Sequence, residues 1–164
     1  MAELTKLETK LGEVMGLAMA AQAATKKVLT LAKDESDSVT SQLERMHDEA
    51  VETARRCEEL AGSFDGKKTA IVGQARETRR EATEMMETYL GKDADALDGF
   101  EFLTMAEAAE VGHWSVLQTL SDSAGNSQVS QLVEWALPIQ ERHFQSVLQG
   151  SRKLAAEEDP NEEA

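Results

Sequence analysis

Apolar residues recur at alternating three- and four-residue spacing along five stretches of this chain, and Gly-, Ser- and Asp-rich breakers separate the stretches. That period places side chains on one face of an α-helix and leaves little that alternates as a strand would. The spacing and breakers predict helices over about 3–33, 39–61, 68–90, 96–121 and 128–156. Ala, Glu, Leu, Lys, Gln and Met dominate, with only two prolines, which favours helix throughout. Asp34-Glu35-Ser36-Asp37-Ser38 supplies turn and N-cap residues between the first two helices. The chain of 164 residues suits one domain, residues 1–156, and 157–164 form an acidic tail without packing residues, expected to be disordered. Pro138 falls inside the fifth helix and predicts a kink there.

A net charge of −14 argues against nucleic-acid binding, and the basic residues around Lys67–Arg80 are interleaved with Glu77 and Glu81 as a solvated face. No apolar run approaches the ~20 residues a membrane span needs. Val14–Ala24 is apolar, but Glu3, Glu8 and Glu13 precede it where a signal peptide would be basic. A lone Cys57 forms no internal disulfide, and a cytoplasmic protein is expected. Gly12 and Gly16 form a small face that hints at a homodimer contact.

The chemistry-bearing residues interrupt the stripes. The chain has three histidines: His47 on the second helix (stripe Leu43, His47, Ala50, Ala54, Cys57, Ala61), His113 on the fourth (Leu103, Ala106, Glu110, His113, Leu117, Leu120) and His143 on the fifth (Val133, Ala136, Gln140, His143, Val147). A buried carboxylate such as Glu110 must be paired, protonated or bound to metal. If the fourth and fifth helices form a hairpin, Gln140 lies opposite about residue 109 and His143 opposite about residue 106. In the first hairpin Glu44 and His47 lie opposite roughly Gln22–Thr25, so the polar interruptions gather near mid-bundle. The predicted metal set is Glu44, His47, Glu110, His113 and His143, with Gln22 and Gln140 hydrogen-bonding to the carboxylates. Two carboxylates balance one divalent ion, which points to a mononuclear centre.

Two hairpins joined by a crossover helix form the arrangement of a ferritin-like four-helix bundle; a continuous up-down bundle is the competing topology. Glu44-Arg45-Met46-His47 matches a Glu-x-x-His of the di-iron carboxylate bundles, Glu110 matches their lone Glu, and Gln140-Glu141-Arg142-His143 is a Glu-x-x-His with Gln for its acid. With the Ala109-Glu110-Val111-Gly112-His113-Trp114 run, the chain resembles the ferritin-like superfamily, and within it the bacterial YciF-type stress proteins, over roughly 1–155. The resemblance implies iron or manganese, with zinc less suited, in a degenerate di-iron-type site, and a role in stress response. The competing expectations are a non-catalytic interaction bundle with a buried His/Glu network and a pH-responsive assembly titrating through the three histidines.

Overall fold

The computed structural model describes residues 2–163. They form five helices: α1 (Lys6–Leu31), α2 (Asp37–Ala61), α3 (Lys68–Tyr89), α4 (Ala96–Ala124) and α5 (Ser127–Ala155), with no strand among the described residues. The protein is all-α. No helix of the described residues is long and apolar enough to cross a membrane.

Local chemistry sets the helix ends. Thr5 and Glu8 close a capping box on α1, the Thr5 backbone N–H donating to the Glu8 carboxylate at 2.7 Å and the Glu8 N–H to the Thr5 hydroxyl at 3.2 Å. Asp95 and Asp98 do the same on α4, with both bonds at 2.9 Å. Gly125, in the left-handed region at φ 63°, ends α4, and the Asn126 side chain accepts from the Val129 N–H to start α5. Pro138 lies on the exposed face of α5, which runs through it as one helix.

α1 packs against α2, α3 and α4; α4 packs along α5, and α2 meets α5 and α3. The Gly12–Gly16 face, read from sequence as a homodimer contact, is occupied within the chain by α3. A Cβ on Gly12 would fall 2.9 Å from the Ile71 carbonyl oxygen, and one on Gly16 would overlap the Ala75 carbonyl. The glycines therefore set the α1–α3 approach and are not free for a second copy.

The core divides into two apolar clusters stacked along the bundle. One holds Leu11, Val14, Cys57, Ile71, Trp114, Leu117, Val133 and Ala136; the other holds Val28, Leu43, Phe100, Leu103, Val147 and Leu154. On α4 the stretch between the clusters carries Glu107 and Glu110, and on α5 it carries Gln140 and His143. The matching stretches of α1 and α2 present small buried side chains, Ala18, Ala50, Thr53 and Ala54. A polar layer thus crosses the middle of an otherwise apolar core. Residues 157–163 lie beyond α5 and are exposed.

Candidate functional site

The layer is built by two i, i+3 pairs on adjacent helices: Glu107 and Glu110 of α4, Gln140 and His143 of α5. All four are buried, at 1%, 3%, 1% and 3% exposure. The Gln140 amide faces both carboxyls; with its NH2 turned inward it donates to Glu107 Oε2 at 2.9 Å and to Glu110 Oε2 at 3.0 Å. The His143 ring stands between two acids, Nδ1 3.6 Å from Glu107 Oε2 and Nε2 3.7 Å from Glu49 Oε1. His143 Nε2 is buried without a hydrogen-bond partner. Glu49, on α2 and only partly buried, is held by Arg142 and Arg45.

The electrostatics follow from burial. Desolvation raises the Glu107 carboxyl to about 8. Glu110 is pushed well above the usual carboxylate range by desolvation and by the charge of Glu107, against a smaller opposing effect of His143. Burial holds His143 below the ordinary imidazole value, although Glu49 and Glu110 pull the other way. Partial burial works to raise Glu49, but its hydrogen bond to Arg142 and the charges of His143, Arg142 and Arg45 outweigh that and hold it low. At neutral pH the deepest part of the layer therefore carries protonated carboxyls beside a neutral imidazole, and the outer acid is ionised. Burial and the nearby Glu110 also push the Cys57 thiol up, so it is inert.

Of the five sequence-predicted ligands, the structure brings Glu110 and His143 together and places the other three elsewhere. Glu44 is exposed. His47 is half-buried, its Nδ1 3.3 Å from Asp48 Oδ1, and lines a surface cleft with Gln22, Lys26, Arg55 and Glu58. His113 is half-exposed, its Nδ1 3.1 Å from Lys10 Nζ and 3.4 Å from Glu13 Oε2. The physical reason is the phase of α4. Its buried stripe is Leu103, Glu107, Glu110, Trp114, Leu117 and Ser121, where the sequence suggested Ala106, His113 and Leu120. Both phases keep a three–four spacing and share Leu103, Glu110 and Leu117. Completely burying the Trp114 ring decides between them.

Two residues of the layer escaped the sequence reading. Glu107 was legible as the alternative phase, lying three residues before Glu110 and seven before Trp114. Glu49 carries no such signal, being one acid among several on α2; only the packing of α2 on α5 sets it beside His143. The expected level of α4 against α5, by contrast, is what the structure has: Gln140 reaches Glu110 and His143 lies beside Glu107.

Among the described residues no three His, Cys, Asp or Glu side chains stand as placed in a set able to hold a metal ion. The donor chemistry of the layer nevertheless suits a cation. Turned with its oxygen inward, the Gln140 amide would bring three oxygens together, which either protons on the carboxyls or a cation between them would hold. No family model matches the chain, and no curated protein or solved structure matches it.

Proposed function

We propose that the protein is a ferritin-like metal-binding bundle whose polar layer holds one divalent ion between Glu107, Glu110 and His143, with Gln140 as an oxygen donor. One observation carries this reading: two carboxyls and an imidazole are buried together, with an amide facing both acids and no cationic side chain among them. A proton on each acid is the metal-free solution; an ion replaces those protons. Two carboxylates balance one divalent charge, so the stoichiometry is one ion per chain. A mixed oxygen–imidazole set suits iron or manganese. Such an ion supplies Lewis acidity and, in iron's case, one-electron chemistry. The role in stress response rests on the YciF-type resemblance of the motifs, and the cytoplasmic setting on the lone Cys57 and on Glu3, Glu8 and Glu13 before the apolar Val14–Ala24.

The chain's own residues would prepare the layer. Glu49, fixed by Arg142, faces the outer nitrogen of His143 and favours the tautomer that carries its proton there. That tautomer leaves Nδ1, on the Glu107 side, with its lone pair free. The small residues Ala18, Ala50 and Ala54 of α1 and α2 keep the opposite wall clear.

A second reading is favoured by the same amide in its donating orientation. Gln140 satisfies both protonated carboxyls, and the layer then acts only to fix the register of α4 against α5 in a structural or interaction bundle. Metal content of untagged protein, produced with iron, manganese and zinc supplied, separates the two. About one ion per chain, lost in His143→Ala, is the expected result. Two coupled irons per chain would overturn the mononuclear stoichiometry. No metal, together with melting indifferent to chelator, would establish the network reading.

A further inference from the structure

We propose that the cleft between α3 and α4 is a binding site for a small apolar molecule carrying a hydroxyl head group. The cleft arises because both helices pack closely on α1 but meet each other only slightly, the Tyr89 and Phe102 ring centroids lying 5.7 Å apart. The glycines of α1 clamp α3 closely near Ile71 and Ala75. Further along α1, Ala20, Ala21 and Ala24 face the gap with little side chain to fill it. The result is a cavity of about 350 Å³, walled mainly by Met86, Phe102, Leu103 and Ala106. That volume is at the lower end of the ~300–1,000 Å³ typical of small-molecule sites.

The interior identifies the class of ligand. Glu107 and Glu110, both almost completely buried, line this cavity from the α4 side. Each turns Oε2 to Gln140. A hydroxyl entering the cleft both donates and accepts, so it pairs with a carboxyl whether or not that carboxyl holds its proton. Glu13 and Glu81 stand on the same lining, beside His113, and these two acids disfavour a carboxylate head group. Met85 and Met105, exposed at 59% and 42%, lie on opposite walls and offer flexible apolar surface to a tail. The proposal concerns the cleft in metal-free protein and stands apart from ion binding in the layer.

The test uses chelator-treated full-length protein and displacement of the fluorophore N-phenyl-1-naphthylamine. The expected result is saturable fluorophore binding, displaced by 1-decanol and at least tenfold less well by decanoate. Ala21→Phe should weaken binding at least tenfold while leaving thermal melting cooperative. Ala109→Phe, on an exposed position of the lining, should also weaken it and guards against misfolding of the first variant. Absence of saturable binding, decanoate competing as well as decanol, or unchanged affinity in both folded variants would overturn the proposal.

Discussion

At the scale of single residues, the polar layer makes stability depend on pH in a way that burial dictates. The folded-state value of Glu107 is raised to about 8 from an ordinary 4.5, so the native state holds a proton that the unfolded chain releases. Its contribution is intact below the unfolded value and lost as pH rises towards 8. His143 is lowered, so it opposes this only below 6.5, where the unfolded imidazole charges. Metal-free protein should therefore lose stability, by on the order of a few kcal/mol, between pH 6.5 and 8. Glu107→Gln should flatten that slope; urea melts across the interval measure both. Gln140→Glu should place a third acid against two others and destabilise the metal-free protein by about 2–4 kcal/mol. If the layer binds metal, added manganese should recover that loss and raise the ion count above that of the wild type. Unchanged metal content in Gln140→Glu would count against the geometry proposed for the ion.

At the scale of elements, close helix approach depends on where glycine stands. Gly16→Ala pushes a methyl into the Ala75 carbonyl, and Gly150→Ala pushes one into the Phe100 ring. Each should cost about 1–3 kcal/mol, because backbone or a buried ring must move. Gly112, exposed on α4 with open space around its would-be Cβ, should behave oppositely: Gly112→Ala gains up to about 1 kcal/mol of helix propensity. Chemical denaturation of the three variants gives the ordering directly. The helices themselves were legible because spacing, caps and breakers agree. α3 begins at the expected Lys68, and the predicted α5 stripe of Val133, Ala136, Gln140, His143 and Val147 is buried throughout.

At the scale of the whole molecule, α1, α2, α4 and α5 each run from one apolar cluster to the other and tie both to the layer between them. The described helices should consequently melt in one transition, by calorimetry and by circular dichroism alike. If the layer binds an ion, manganese in excess of its dissociation constant should shift that single transition upward, and chelator should reverse the shift. A split transition would show that the two clusters are independent units.

The sequence by itself determined five helices, their limits to within a few residues, and the level at which α4 and α5 face one another. Periodicity and turn length are local properties, and a hairpin transmits them directly into register. Only tertiary structure decided which acids are buried. The two phases of α4 differ by a single residue, and the choice between Glu107 and His113 was made by the volume that Trp114 fills against the other helices. Glu49 beside His143, α3 in the place of a second copy on the Gly12–Gly16 face, and the cleft left between α3 and α4 share that origin. Each depends on how far apart helix axes come to rest, and side-chain volumes across the whole core set that distance.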